Sequence, residues 1–165
     1  MTTTLQKPVQ VGFAFTGSFC TFSQVISQLE AVAQHPNWEV IPIMSPNAYS
    51  IDTRFGLAKD FRAQIQKICN HEIIHTIFDA EPIGPKKLLD VLVVAPCTGN
   101  TLGKLANGIY DTSVTLAVKA HLRNARPVVI AVSTNDALAS SAKNIGTLFN
   151  NRHIFFVPMA QDNAQ

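Results

Sequence analysis

The chain has 165 residues, enough for one domain with a single sizeable core and too few for two catalytic domains of ordinary size. Hydrophobic residues make up 47% and charged residues 15%, where soluble domains carry about 25% charged residues. That excludes disorder and points to surface buried against other subunits, or else to an alanine- and valine-rich exterior. A net charge of +2, with Lys86-Lys87 as the only adjacent basic pair, excludes a nucleic-acid stripe.

In chain order, Val9 to Phe15 reads as a strand and Thr16-Gly17-Ser18 as the turn after it. Thr21 or Ser23 is placed to cap a helix whose apolar residues Val25, Ile26, Leu29, Val32 and Ala33 share one face. Pro36-Asn37 ends it. Trp38 to Met44 is a second strand, closed by Ser45-Pro46. A polar loop, Asn47 to Gly56, leads to a helix with Phe61, Ile65, Ile68 and Cys69 on one side. Ile73 to Phe78 reads as a short strand, and Ala80 to Lys87, with Pro82, Gly84 and Pro85, as a loop.

Val91 to Ala95 is an unbroken apolar run, the pattern of a strand buried on both faces. Pro96 to Asn100 is a turn, Thr101 to Asn107 a helix, and Gly108 to Thr112 a break before a helix over Ser113 to Arg123. Pro127 to Val132 is another buried strand, Ser133 to Asp136 a turn, about Ala137 to Phe149 a helix, and Ile154 to Val157 the last strand. Strands separated by helices give βαβ units, hence a doubly wound parallel sheet in one domain spanning residues 1–165.

In such sheets ligands bind beyond the carboxyl ends of the strands. The residues there are Thr16-Gly17-Ser18, Ser45, Cys97-Thr98-Gly99-Asn100, Ser133-Thr134-Asn135-Asp136 and Gln161-Asp162. Small hydroxyl and glycine residues beside helix N-termini suit an anion, because free backbone N–H groups and the helix dipole favour negative charge. Any one such turn is ordinarily just a cap; their recurrence on one edge favours a ligand site. No GxxxxGK[ST] occurs, and no GxGxxG follows the first strand, which disfavours a nucleoside-triphosphate or nicotinamide site.

Other signals are weaker. Cys20, Cys69 and Cys97 form no CxxC pair and fit a reducing cytoplasm. Cys97, at a strand end, either touches the ligand or is a small buried apolar residue. The five histidines have no metal-site spacing, so no metal is expected, and each reads as surface or core. Arg54, in the long polar loop, either holds a carboxylate or pairs with Asp52. No apolar run approaches the roughly 20 residues of a membrane span, and the first residues lack the apolar core of a signal peptide.

Ala95-Pro96-Cys97-Thr98-Gly99-Asn100-Thr101, followed by Lys104 to Asp111, resembles a motif of the flavoprotein family that includes the homo-oligomeric flavin-containing cysteine decarboxylases. Asn135 stands where those decarboxylases have a Pro-x-Met-Asn clamp. Asp52 to Gly56, Ala80 to Lys87, Ser133 to Leu138, and Phe156-Val157-Pro158 with Gln161-Asp162 resemble, in order and spacing, the B subunits of dipicolinate synthases. Those B subunits continue past the Gln-Asp pair with a further helix, whereas this chain stops at Gln165.

The resemblance implies a three-layer α/β/α sandwich of Rossmann-like or flavodoxin-like type. FMN would lie at an interface in a trimer or dodecamer, on Thr16, Gly17, Ser18, Ser45, Thr98, Gly99 and Asn100, with the flavin ring against the Cys97 to Asn100 turn and near Ser133 and Thr134. Arg54 and Asn135 would face a small dicarboxylic acid. An A subunit would bring NADP, and the pair would oxidise a dihydrodipicolinate-type intermediate to dipicolinate in the mother-cell cytoplasm of a spore former. Two departures point away from cysteine-type decarboxylation: Glu81 to Lys87 lacks the decarboxylases' histidine, and Thr134 replaces the clamp methionine. The alternatives are a flavin-free scaffolding subunit of the same complex and a stand-alone decarboxylase.

Overall fold

The computed structural model describes residues 7–160. Its elements are β1 (Val9–Phe15), α1 (Phe22–Ala33), β2 (Trp38–Met44), α2 (Pro46–Ser50), α3 (Ala58–Cys69), α4 (Ile77–Ala80), β3 (Val91–Cys97), α5 (Gly99–Ala106), α6 (Ser113–Arg123), β4 (Val128–Val132), α7 (Ala142–Phe149) and β5 (Ile154–Phe156). The five strands are all parallel, in the order β2-β1-β3-β4-β5. This is the flavodoxin-like order, whose switch point lies between β1 and β3.

Side chains alternate along the strands and divide the core in two. From β1, Val11, Phe13 and Phe15 join Phe22, Ile26 and Leu29 of α1 and Ile65 of α3. Ala14, with Leu92 and Val94 of β3, joins Leu102, Val114 and Val118 of α5 and α6. Gly12 also faces this second layer, where a Cβ would come within 2.5 Å of a Leu89 methyl.

The two faces are covered unequally. The in-register row Leu92, Val128 and Ile154 is buried throughout. The row on the other face runs Phe13, Val93, Val129, Phe155, and its exposure rises from 3% at Phe13 to 54% at Phe155. Helices α1 and α3 cover the β2-β1-β3 side of that face, so β4 and β5 present apolar side chains to solvent.

The elements depart from the sequence pattern in physically clear ways. Ile73 to Phe78 is not a strand. Ile74 makes one parallel bridge to Ile43. Thr76 then caps α4, its Oγ1 accepting from the Asp79 N–H at 3.1 Å. The polar loop after β2 begins with α2, because Ser45 Oγ accepts from the Ala48 N–H at 3.3 Å and Pro46 occupies the first turn. Helix α7 starts at Ala142, not near Ala137, since Asp136 draws residues 137–141 into turns. Neither Thr21 nor Ser23 caps α1; Thr21 Oγ1 donates to the Ser18 carbonyl at 2.9 Å. Strand β3 continues through a register shift to Cys97. Gln161-Asp162 lies outside the described residues.

His121 is buried in α6, with Nε2–H donating to the Pro127 carbonyl at 3.0 Å. Burial pushes its imidazole pKa down to about 4, against the opposing pull of that carbonyl. The unfolded chain therefore binds an extra proton between about pH 6.5 and pH 4. The stability this group contributes is fully present above pH 6.5 and is lost as pH falls through that window, by up to about 3 kcal/mol at about 1.4 kcal/mol per unit. Urea midpoints measured from pH 7.5 to 4 are expected to fall through the window, and His121→Gln is expected to flatten that fall.

Gly56 has φ +150°, and a Cβ there would lie 2.7 Å from the Phe61 ring, which packs edge-on to Phe22. Gly56→Ala is expected to destabilise by about 1–3 kcal/mol in the same urea titration.

Candidate binding site at the carboxyl ends of the strands

Thr16 closes β1. Its N–H and its hydroxyl both donate to the Pro96 carbonyl, at 3.2 and 2.6 Å, and the hydroxyl accepts from the Thr98 N–H at 2.9 Å. With 1% exposure, this hydroxyl is a structural tie across the switch point, although it also borders the cavity there.

The tie positions α5. Thr98 is its N-cap, with Oγ1 accepting from the Thr101 N–H at 3.2 Å. The first-turn amides of Gly99 and Asn100 have no acceptor among the described residues, as expected at an open helix N-terminus. Thr112 caps α6 through a reciprocal pair with Thr115. Ser113 Oγ then donates to the Met44 carbonyl at 2.6 Å and fastens that end of α6 to β2.

Two cavities flank Thr98. One, of about 260 Å³, is bordered by Gly17, Ser45, Asn100, Thr112 and Lys104. Lys104 Nζ lies 2.8 and 3.0 Å from the two Asp111 oxygens and holds that carboxyl below its usual range. The second cavity, of about 690 Å³, is bordered by Ser18, Cys20, Gly99, Ser133, Thr134 and Asn135, with no basic side chain among its lining.

Asp136 organises the second cavity. Its Oδ1 accepts from Thr134 Oγ1 at 2.6 Å and from Ser141 Oγ at 2.8 Å. These hydroxyls hold the carboxyl below its usual range. The cluster lies against Gly99, where a Cβ would come 2.9 Å from Ser141 Oγ and 3.1 Å from Thr134 Oγ1. Only glycine lets loop 133–141 approach α5 this closely. Ser18 Oγ donates to the Ser133 carbonyl at 2.6 Å, and Ser133 Oγ is 3.3 Å from Thr21 Oγ1.

The strand-end residues singled out from sequence therefore gather at one edge, in different roles. Gly17, Ser45 and Asn100 border the smaller cavity, Ser18, Gly99, Ser133, Thr134 and Asn135 the larger, and Thr98 both. Cys97 is fully buried, and burial pushes its thiol up, so it is core and not a contact. Arg54 is exposed, lies over the Phe55 ring at 4.9 Å, and borders neither cavity. Asp52 does not pair with it; its Oδ1 accepts from the Ala58 N–H at 2.8 Å, at the start of α3. Sequence reasoning missed Asp136 and Thr112 as organisers. The capping pattern Thr112-x-x-Thr115 was a readable signal for the second.

The profile of the Flavoprotein family matches residues 2–164. The chain belongs to the Flavoprotein family. Among Flavoprotein relatives, the dipicolinate synthase B subunit of Bacillus subtilis (strain 168) is 43% identical over 156 residues, covering 94% of this chain and 78% of that one. The crystal structure of the dipicolinate synthase B subunit from Bacillus halodurans is 39% identical with a TM-score of 0.84, over 95% of this chain and 80% of that one. A dodecameric FMN-dependent Ubix-like decarboxylase from Escherichia coli O157:H7 shares the fold, with a TM-score of 0.74 at 21% identity over 91% of this chain and 80% of that one.

Removing the Thr16 hydroxyl tests the tie. Thr16→Val leaves the Thr98 N–H without its acceptor, while the Pro96 carbonyl keeps the backbone N–H of residue 16, and is expected to cost about 1–3 kcal/mol in denaturant stability. Thr16→Ser, which keeps both bonds, is expected to stay within about 1 kcal/mol of the parent.

Proposed function

We propose that this chain is the flavin-binding B subunit of a dipicolinate synthase-type oxidoreductase. The observation that carries the reading is the smaller cavity. The open first turn of α5 and the capped N-terminus of α6 meet there beside Gly17 and Lys104, at the β1/β3 switch point. The likeness to dipicolinate synthase B subunits over most of both chains supports the choice of reaction.

The donor set fits FMN. A phosphate dianion is suited by the open Asn100 N–H, the α5 dipole and Lys104, whose charge Asp111 shares. Asn100 and Lys104 border the smaller cavity, with Ser45 beside them. The larger cavity has room for a flat ring, and Gly99, Thr98, Ser133, Thr134 and Asn135 line it; Asn135 is the residue this reading gives to the substrate. Asp136 keeps negative charge near this second cavity, which favours the phosphate in the first.

When bound, the flavin would supply the two-electron redox step. The chain's own contribution is to anchor the phosphate and to orient the ring through the Gly99 approach. A partner A subunit would bring NADP, and together they would oxidise a dihydrodipicolinate-type dicarboxylate to dipicolinate. Homo-oligomerisation as a trimer or dodecamer, in the cytoplasm of a spore-forming mother cell, belongs to the same reading. Residues 1–165 would act as one domain.

A second reading, a flavin-free subunit that completes the A subunit's site, draws on the internal bonding of Ser18, Thr134 and Ser141. The visible absorption spectrum after incubation with FMN and gel filtration separates the two. Retained flavin bands are expected, with Asn100→Ala binding FMN at least several-fold more weakly. A colourless protein would overturn the flavin reading in favour of the second.

A further inference from the structure

A third cavity, of about 400 Å³, lies along α6, between its C-terminal half and the turn that carries Gly84. Residues 84–87 precede β3, and Arg123 ends α6 just before β4. The cavity is therefore at the opposite edge of the sheet from the two strand-end cavities.

Its floor is apolar: Gly84, Pro85, Leu116 and Ala120. Its rim carries Lys87, Lys119 and Arg123 against a single carboxylate, Glu81. Neither Lys87 Nζ nor the Arg123 guanidinium has an ion-pair or hydrogen-bond partner among the described residues. Lys119 Nζ is 4.8 Å from the Tyr110 ring centroid.

The wall is held in shape. A Cβ on Gly84 would lie 3.1 Å from Ala120 Cβ, so the turn and the helix are in close approach. Asn124 Nδ2 donates to the Gly84 carbonyl at 2.9 Å. Lys87 adopts φ 50°, a left-handed conformation unusual for lysine. The Lys87 N–H donates to the Gly84 carbonyl at 3.1 Å, and the Lys87 carbonyl accepts from Arg126 Nη1 at 3.2 Å. Arg126 is itself occupied by Asp90, 3.2 Å away, and by the Leu89 carbonyl. Backbone strain that the surroundings over-determine is a pointer to function.

By contrast, the strand-end cavities have no unpaired cation. Lys104 there is paired with Asp111, and Arg54 lies outside both. Side-chain cations without an ion-pair partner among the described residues line this groove, whereas the strand-end cavities rely on helix ends.

We propose that the groove binds a small, flat organic acid with two carboxylates. The ring would rest on Pro85, Leu116 and Ala120, and the carboxylates would meet Arg123 and Lys87, a guanidinium being suited to bidentate pairing. The volume is that of a small-molecule pocket. The inference stands on the groove's own chemistry and does not require flavin at the other edge.

The test is calorimetric titration of the flavin-free chain with pyridine-2,6-dicarboxylate in metal-free buffer, with benzoate as the single-carboxylate control. Saturable binding at one site per chain is expected, with benzoate at least tenfold weaker. Arg123→Gln and Lys87→Gly are each expected to weaken it about tenfold or more. Glycine relieves the left-handed strain, so the second variant removes the amine without unfolding the turn, and circular dichroism checks both. Asn100→Ala, at the strand-end site, is expected to leave this binding unchanged. No saturation, affinity indifferent to both groove variants, or loss in Asn100→Ala instead would each overturn the proposal. Failure to retain FMN would overturn only the flavin reading.

Discussion

The hydroxyl of Thr16 is the joint on which the strand-end site depends. One buried oxygen donates to the Pro96 carbonyl and accepts from the Thr98 amide. It ties the first residue after β1 to the N-cap of α5. A flavodoxin-like sheet diverges at this place, because connections leave β1 and β3 toward opposite faces. Without a tie the two loops would be free to separate. With it, Gly17 and Asn100 of the open first turn of α5 border a common space, and the cap formed by Thr98 is held in register with β1. Ser113, bonded to the Met44 carbonyl, does the same for α6 and β2.

Charge is distributed sparsely and with a consistent logic. At the carboxyl edge, partial charges of helix ends and peptide groups do most of the work, and Lys104, the cation bordering the smaller cavity, is balanced by Asp111. Asp136 accepts from two hydroxyls and pairs with no cation among the described residues. At the amino edge the pattern reverses: full charges on Lys87 and Arg123 stand over an apolar floor with no ion-pair partner among the described residues, Glu81 being the one carboxylate in the lining. Dipoles at one end and bare cations at the other give the molecule two chemically different anion environments along the strand direction.

Much of this was legible in the residues. The strands were readable because buried parallel strands are continuous Val, Ile and Leu runs, and the strand-end turns because small hydroxyl residues follow each run. What could not be read was which hydroxyls face a ligand and which bind the protein. Thr16 and Thr98 look alike in sequence, yet Thr16 is buried in a tie and Thr98 borders both cavities. Ile73 to Phe78 has β-branched and aromatic residues enough for a strand, but Thr76 offers a cap two residues after the lone bridge, and the local hydrogen bond prevails. Arg54 was singled out for its charge, its long polar loop and the resemblance of Asp52 to Gly56, and nothing local revealed that it borders neither cavity.

The uneven cover of the sheet has a thermodynamic consequence. Along the row from Phe13 to Phe155, apolar surface that the other face buries is left in contact with water. Any body that covers the β4-β5 side adds its binding free energy to that of folding, in proportion to the logarithm of its concentration. Folding of this chain and occupation of that face are then one linked equilibrium. Its measured stability becomes a property of the solution composition as much as of the polypeptide.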